Sequence, residues 1–159
     1  MHYSGYLVVV KDAQKSRRFY QDVFGAQVFL DLGGYVVFQD KYALISEADW
    51  LELLAGNEQD VQYRNHSGEL FFEEDDLEGF IKHLESLPGI EMFHGMREYP
   101  WGQRVVRFYD PDGHVLEVGD SMKVVVKKML ASGMSVDEVQ TKSLFPLSFI
   151  EECSSELAV

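Results

Sequence analysis

The residues of this sequence that are best suited to bind a small molecule lie close together in the segment 98–104. Tyr99 and Trp101 supply aromatic faces, and Arg104 supplies a guanidinium at the start of a β-rich run. Such side chains can hold a flat or an anionic ligand, so Tyr99, Trp101 and Arg104 are candidate ligand-binding residues. The alternative is that the two rings cover the edge of the core while Arg104 pairs with a surface acid. Residue types alone leave both interpretations open.

Several other kinds of chemistry are missing from the sequence. It contains no phosphate-binding glycine loop, no nucleophile triad and no Cys/His metal cluster. The single cysteine, Cys153, cannot form an internal disulfide, which suits a reducing compartment. A function for this chain must therefore be sought among aromatic, carboxylate and guanidinium side chains.

Charge and composition narrow the range of partners. Of the 159 residues, 14 are Lys or Arg and 27 are Asp or Glu, which gives a formal net charge of −13. This charge repels phosphate backbones and anionic membranes, so we expect neither nucleic acid nor membrane as a partner. No apolar run approaches the roughly 20 residues that span a bilayer, and the first residues lack a basic segment followed by a cleavage site. The composition, 46% apolar, predicts a packed globular protein, which we expect in the cytoplasm.

The first part of the chain has the pattern of one βαβββ module. Tyr6–Val10 is a β-branched run, and Asp12 stands where a helix N-cap accepts backbone N–H groups. Apolar residues then recur at helical spacing until Gly25, which is placed to end a helix over residues 13–24. Three β-rich runs follow, separated by turn-compatible pairs: Gln27–Leu30, Tyr35–Gln39 and Tyr42–Ser46.

The same order of elements recurs in the second part of the chain. Leu70–Glu74 has the pattern of a strand, and Asp76, 64 residues after Asp12, is placed to cap a helix that begins near Leu77. Three further strands are predicted at Ile90–Phe93, Gln103–Tyr109 and His114–Val118. This repeat predicts an α+β fold, in which tandem βαβββ modules form a curved mixed sheet around a cup that can enclose a small molecule.

The segments outside the two modules also carry structural signals. Between them, Trp50 and a leucine cluster favour a short helix packed on the core, although this stretch can also be a simple connector. In the tail, Ser135 and Glu138 have the spacing of a capping box, which predicts a helix there among two or three short ones. Because the tail holds more acidic than basic residues, packing on the body or on a partner subunit is favoured over DNA binding.

Two strings, LVVVKDAQKSRRFYQDVFGAQV and RVVRFYDPDGHVLEV, resemble the vicinal oxygen chelate superfamily, which includes glyoxalase I, bleomycin resistance proteins, fosfomycin-modifying enzymes and extradiol dioxygenases. The resemblance covers roughly residues 5–119 and leaves the tail outside. It implies a cup in which the enzymes bind a divalent metal and chelate substrate through vicinal oxygens, whereas the resistance proteins bind a drug without metal. It also implies a homodimer. The fold alone does not choose between these activities.

The resemblance identifies the positions that carry metal ligands in the glyoxalase-like enzymes. In the first module these positions hold Gly5 and Ile45, neither of which can donate a side-chain ligand. In the second module they hold Glu69, in place of the usual histidine, and Glu117, which matches the family's glutamate in the D-P-D-G-x-x-x-E frame. Two of the four positions therefore keep a possible ligand, one of them changed.

Glu69 and Glu117 are accordingly the weak metal candidates, the catalytic candidates and further candidate ligand-binding residues. With water molecules, the two carboxylates could hold Mg²⁺ or Mn²⁺ weakly. Without an ion, one carboxyl would have its pKa raised by the other and could act as an acid or as a hydrogen-bond donor. The alternative is that Glu69 is only a solvent-facing strand end and that Glu117 is only a relic of ancestry. His2 and His66 each lie three residues before one of these ligand positions. They are poor replacements for the missing ligands, because three residues along a strand span roughly 10 Å and reverse the face to which the side chain points.

The predicted organisation is a glyoxalase/bleomycin-resistance-like domain over residues 1–120, with modules 1–46 and 69–120 joined by the connector 47–68, and a helical extension over 121–159.

Three functions remain open on the sequence. The chain is expected to be a superfamily member that binds a small organic molecule in a cup without a full metal site and without an assigned cofactor. One alternative is a divergent metal-dependent lyase or isomerase that uses Glu69 and Glu117. Another is a metabolite-sensing interaction protein that acts through its C-terminal helices. An iron dioxygenase is disfavoured, because the 2-His-1-carboxylate triad is not visible.

Overall fold

A computed structural model describes residues 1–157 of the protein, which form an α+β fold with two four-stranded mixed sheets and a set of C-terminal helices. The first module consists of β1 (Tyr6–Val10), α1 (Ala13–Phe24), β2 (Val28–Asp31), β3 (Tyr35–Phe38) and β4 (Tyr42–Ser46). The connector contains α2 (Glu47–Leu54) and a short 3₁₀ turn, Glu58–Asp60. The second module consists of β5 (Glu69–Glu74), α3 (Leu77–Ser86), β6 (Glu91–Glu98), β7 (Arg104–Tyr109) and β8 (Val115–Asp120). The tail forms α4 (Met122–Ala131), α5 (Val136–Ser143) and α6 (Leu147–Leu157).

The two sheets have the same topology, which confirms the predicted repeat. Their strand orders are β1-β4-β3-β2 and β5-β8-β7-β6. In the first sheet β1 runs parallel to β4, from Tyr6 opposite Tyr42 to Val10 opposite Ser46, and the other pairs are antiparallel. In each module, therefore, the first strand lies next to the last one, and its helix connects it to the remaining strands.

Short-range capping signals set the helix ends where the sequence predicts them. The Asp12 side chain accepts hydrogen bonds from the backbone N–H groups of Gln14 and Lys15, and Gly25 ends α1 in the left-handed region at φ 64°. At the start of α5, Glu138 accepts a 2.7 Å bond from the backbone N–H of Ser135, whose hydroxyl accepts from the Glu138 N–H. These interactions are local, which is why the sequence alone identifies them.

The structure differs from the sequence-based expectation in three places. Strand β6 continues to Glu98 rather than ending near Phe93, because its hairpin with β7 is closed by a 2.8 Å bond from the Tyr99 N–H to the Gln103 carbonyl. The sequence predicts the last tail helix over Pro146–Glu152, and the structure extends it to Leu157 as α6. The predicted connector helix is present as α2, but none of its residues is buried.

The described residues form two compact units. The first comprises residues 1–68, 83–91 and 109–115, and the second comprises residues 69–82, 92–108 and 116–157. In the first unit Tyr20, Val10, Val36, Phe38 and Leu44 form the centre of the core. In the second unit, the tail helices enclose their own apolar cluster of Met122, Val125, Val126, Met129, Val139, Ile150 and Cys153. Over residues 1–157, no helix has the length and apolar character needed to cross a membrane.

Candidate functional site

The second sheet brings the two candidate glutamates to one basic side chain. Glu69 opens β5, Glu117 lies in the middle of β8, and these two strands are neighbours. Arg107 extends from β7, on the other side of β8, and its guanidinium contacts both carboxylates. Arg107 is not among the residues singled out from the sequence.

The guanidinium of Arg107 binds Glu69 through two nitrogens. Its Nε donates to Glu69 Oε2 at 2.8 Å and its Nη2 to Oε1 at 3.2 Å, while Nη2 also forms a close ion pair with Glu117 Oε2. Such forked pairs are among the stronger polar contacts in proteins. The hydrogen bonds to Glu69 are the main reason why the pKa of Arg107 is raised above its ordinary value. The three side chains thus form one ionic group, Glu69–Arg107–Glu117, referred to below as the carboxylate–guanidinium cluster.

Burial distinguishes the two glutamates. The Glu117 side chain keeps 7% of its surface exposed, whereas the Glu69 side chain keeps 34%. Burial raises the pKa of Glu117 above its ordinary value and the charge of Glu69 adds to this, although the charge of Arg107 acts in the opposite direction. Glu117 is therefore the side chain in this cluster that takes up a proton more readily than an ordinary glutamate.

Two further side chains complete the cluster. Arg107 Nη1 donates to the Tyr99 hydroxyl, which lies 3.4 Å from Glu117 Oε2, and also approaches His94 Nε2 at 3.4 Å. The other ring nitrogen of His94 bonds to the Gly95 carbonyl at 2.7 Å. A carbonyl only accepts, so Nδ1 of His94 carries the proton and Nε2 is free to accept from Arg107. Tyr99 was a sequence candidate, whereas His94 was not.

The aromatic candidates lie at the hairpin between β6 and β7. The rings of Tyr99 and Trp101 lie in contact with their centroids 4.4 Å apart and their planes tilted by 30°, and the Trp101 indole N–H donates to Gln103 Oε1 at 3.2 Å. The guanidinium of Arg107 also lies 5.7 Å from the centre of the Tyr99 ring. Tyr99 therefore joins the aromatic pair to the cluster.

The third sequence candidate of this segment, Arg104, is engaged elsewhere. It binds Asp120 through Nε and Nη2, both at 2.7 Å, and it also pairs with Glu78 of α3. Burial acts to raise the pKa of Asp120, but hydrogen bonds from Arg104 and Lys128 outweigh it and bring that pKa below its ordinary value. Arg104 and Arg107 are three residues apart on one strand, so their side chains leave opposite faces. Pairing with acidic groups was the alternative that the sequence left open for Arg104.

A signal for Arg107 exists in the sequence, although it was missed. Its neighbours Val106 and Phe108 are almost fully buried. A charged residue inside such an apolar run requires a partner, because burying an unpaired charge is costly. The two glutamates already singled out could have supplied that partner.

The donor set does not fit a divalent ion held between Glu69 and Glu117. The guanidinium of Arg107 bonds to both carboxylates, so an ion would have to enter beside a fixed positive charge. In the first module Gly5 has no side chain and Ile45 is apolar and 3% exposed. Among residues 1–157, no group of three or more His, Cys, Asp or Glu side chains is placed to hold a metal.

Comparison with known proteins places this chain in a family. The sequence profile of the glyoxalase-like domain matches residues 3–123. A protein of unknown function from Agrobacterium tumefaciens str. C58 is 32% identical, with 76% of this chain and 94% of that chain covered and a TM-score of 0.68. A lactoylglutathione lyase from Agrobacterium tumefaciens is 22% identical, with 77% and 96% covered and a TM-score of 0.60.

A third solved structure shares the fold at lower identity. It is a glyoxalase/bleomycin resistance protein/dioxygenase family enzyme from Burkholderia phytofirmans PsJN, 16% identical, with 75% of this chain and 98% of that chain covered and a TM-score of 0.65. The family model covers most of the chain, and all three solved structures share its fold. The chain therefore belongs to the glyoxalase-like domain family, within the vicinal oxygen chelate superfamily.

Proposed function

We propose that this protein binds a small organic molecule in a cup at the carboxylate–guanidinium cluster, and that it does so without a metal ion. The observation that carries the proposal is that the Arg107 guanidinium bonds to both Glu69 and Glu117. In this proposal the guanidinium supplies the positive charge that a divalent ion supplies in metal-dependent members. In this proposal Arg107 holds the side chains of Glu69 and Glu117 in place, and no substrate is oriented by a bound metal.

The electrostatics support this assignment. A carboxylate that is 6% exposed is costly to keep ionised unless a cation faces it, and Arg107 is that cation. A divalent ion would gain its attraction to the two carboxylates only against repulsion from the guanidinium at the same place. Arginine is suited to this role, because its planar fork satisfies two carboxylates and does not lose its proton at physiological pH.

The surroundings favour a flat, partly apolar ligand. Tyr99 and Trp101 offer a pair of rings in contact beside the cluster. Phe71 lies two residues after Glu69 on β5, so its ring leaves the same face of the strand, and it is 47% exposed. Aromatic surfaces next to a few fixed polar groups are typical of small-molecule sites.

The role of Arg107 is tested by adding Mn²⁺ to the protein and to the Arg107→Met variant. We expect millimolar Mn²⁺ to leave the melting temperature of the unmodified protein unchanged. The variant, whose two carboxylates have lost their counter-charge, should be stabilised by Mn²⁺. Arg97→Met is the matched control, because Arg97 is an exposed arginine on neighbouring β6. Stabilisation of the unmodified protein by Mn²⁺, abolished in Glu117→Gln, would overturn the proposal.

Ligand binding itself is tested with a library of flat aromatic fragments, using melting temperature as the readout. Fragments that bind beside Tyr99 should give the same shift in EDTA as in Mn²⁺ and should lose it in Tyr99→Ala. If every stabilising fragment required Mn²⁺, metal-independent binding would be excluded.

A second candidate function is proton transfer by Glu117, as in a divergent lyase or isomerase. The observation in its favour is the raised pKa of this carboxyl, caused mainly by burial, which suits a general acid or base. Lactoylglutathione lyase activity, known from the Agrobacterium tumefaciens relative, is the assay to run first. Activity that persists in EDTA and is lost in Glu117→Gln would support this candidate, whereas no turnover in either condition would leave the binding role.

We further propose that the protein forms a homodimer in the cytoplasm. Phe29 and Leu30 on the edge strand β2 are 75% and 40% exposed, and apolar side chains on an open strand edge favour self-association. In sedimentation experiments the unmodified chain should have the mass of a dimer, and the Phe29→Ser variant should have the mass of a monomer. Equal mass for the two would argue against β2 as the contact.

The tail offers a third role, docking on a partner after ligand binding. Leu144 lies between α5 and α6 and is 82% exposed, and Leu147 begins α6 and is 41% exposed. Both are exposed although the tail helices enclose a core. If the tail docks on a partner, Leu144→Ser should reduce that association without changing the melting temperature. Unchanged association in that variant would remove this role.

A further inference from the structure

A second cavity lies within the first unit, away from the residues used above. Its volume is about 260 Å³, somewhat below the roughly 300 Å³ at which pockets for drug-sized ligands begin. It is lined by β1, by the connector residues 60–68, by Trp50 of α2 and by the start of β8. These dimensions suit a molecule of metabolite size.

One wall of this cavity carries a histidine whose proton position is fixed by a buried acid. His114 Nδ1 lies 2.9 Å from Oδ2 of Asp110, whose side chain has no exposed surface. The carboxylate of Asp110 also accepts hydrogen bonds from the Tyr20 hydroxyl at 3.3 Å and from the backbone N–H groups of Asp112 and His114. Because Asp110 serves as acceptor in all four contacts, Nδ1 of His114 is the protonated nitrogen.

The other nitrogen of His114 is then an available acceptor. In neutral imidazole with Nδ1 protonated, Nε2 carries a lone pair. Within residues 1–157, Nε2 of His114 has no hydrogen-bond partner, although the side chain is only 28% exposed. An oriented, unpaired acceptor on the wall of a cavity is a group that a ligand can satisfy.

Two connector residues that also line the cavity are held in a conformation that ordinary residues avoid. Arg64 and His66 both lie in the left-handed region, at φ 56° and 53°. Both are fixed by Tyr109, because the Arg64 guanidinium lies 4.6 Å from the centre of that ring and His66 Nε2 lies 2.9 Å from its hydroxyl. A Cβ on Gly113 would come within 2.4 Å of Arg64 Cγ, so glycine is needed for this packing. Such strained positions tend to occur where a wall must be preformed for a ligand.

The uncommitted groups on the walls define the kind of ligand. The charged lining side chains are already engaged, Arg64 with Glu91 and Asp60 with the backbone N–H of Asn57. Within the part of the chain that the structure describes, the Trp50 indole N–H and the Gln62 side-chain amide have no hydrogen-bond partner. An aromatic ring, an amide and an imidazole acceptor match an uncharged molecule that carries several hydroxyl groups.

We propose that this cavity is a second binding site, which takes a small, neutral, polyhydroxylated molecule, and that His114 Nε2 accepts a hydrogen bond from one of its hydroxyls. The site is independent of the carboxylate–guanidinium cluster, because none of its residues belongs to that cluster. Asp110 is a positioning residue here, since it acts on the ligand only by fixing the proton of His114.

The test uses glycerol, D-xylose and myo-inositol as probes, with NMR of the histidine rings as the readout. Long-range ¹H–¹⁵N spectra of the unmodified protein should show His114 in the Nδ1–H form. Titration with at least one of the three probes should move the His114 ring signals along a saturable curve. Binding should weaken about tenfold in His114→Phe, which keeps a planar ring but loses the acceptor, as expected for one lost neutral hydrogen bond. His2→Phe is the control, because His2 is exposed near the N-terminus, and it should bind as the unmodified protein does.

Two results would overturn the proposal. One is a His114 ring signal that none of the three probes moves in the folded, unmodified protein. The other is a probe that binds equally well to the unmodified protein and to His114→Phe. The first measurement needs no variant, so it decides the matter even if His114→Phe does not fold.

Discussion

Arg107 and Glu117 lie on the adjacent strands β7 and β8, where the guanidinium forms an ion pair with a carboxylate that is only 6% exposed. Glu117 corresponds to a metal-ligand position in the metal-dependent members that this chain resembles. Here its charge is balanced by a side chain of the same sheet. The same ion pair therefore stabilises the second sheet and fixes the charge at the candidate site.

Breaking this pair on one side should be costly. In Arg107→Met the buried Glu117 carboxylate loses its counter-charge, and we expect the free energy of unfolding to fall by about 3 kcal/mol. In the double variant Arg107→Met, Glu117→Gln the loss should be smaller than the sum of the two single losses, by roughly 1 to 2 kcal/mol. Urea unfolding of the four proteins at pH 7 measures this coupling. Additive losses would mean that the two side chains do not interact.

The raised pKa of Glu117 predicts a specific pH dependence of stability. Since burial favours the protonated form, the native state holds this proton in a range where the unfolded state has already released it. The contribution of Glu117 is therefore greatest below the ordinary glutamate pKa of about 4.3, and it is lost as pH rises through the higher native value. The free energy of unfolding of the unmodified protein, relative to that of Glu117→Gln, should fall as the pH rises over that range. A difference that rises instead would contradict the assigned direction.

Asp120 should show the opposite sign. Its native pKa is lowered because hydrogen bonds from Arg104 and Lys128 outweigh its burial. Its stabilising contribution is thus complete above the ordinary aspartate pKa of about 3.9 and is lost as pH falls through the lower native value. Relative to Asp120→Asn, the unmodified protein should lose stability on acidification in that range. The control is Asp137→Asn, because Asp137 is exposed in the first turn of α5.

Much of the fold could be predicted from the sequence because its signals are local. Asp12 and Gly25 lie at the ends of α1, and Ser135 begins α5, so each can be recognised within a few residues. The repeat is also visible, since Leu77 begins α3 64 residues after Ala13 begins α1. These features do not depend on how the strands pair.

Which side chains meet at the candidate site could not be predicted in the same way. Arg104 and Arg107 both lie in the same β-rich run, and alternation predicts only that they face opposite sides. Which side carries Glu69 and Glu117 depends on the register of β7 against β8 and of β8 against β5, which is distant from both in the sequence. The sequence singled out Arg104, whereas in the structure it is the Arg107 guanidinium that contacts both glutamates.

The hairpin that carries Tyr99 and Trp101 should depend on one glycine that packs against the tail. Gly102 has φ 84°, and a Cβ at this position would lie 2.5 Å from Met129 Cε of α4. Gly133 has φ 94° but nothing within 4 Å of such a Cβ, so it shares the backbone strain without the contact. Gly133→Ala should therefore cost roughly 1 kcal/mol, and Gly102→Ala about 1 kcal/mol more, because Met129 must move. Thermal unfolding compares the two variants, and adding Met129→Ala to Gly102→Ala should remove the difference. If the two glycine variants are equally stable, the hairpin does not pack on α4 as described.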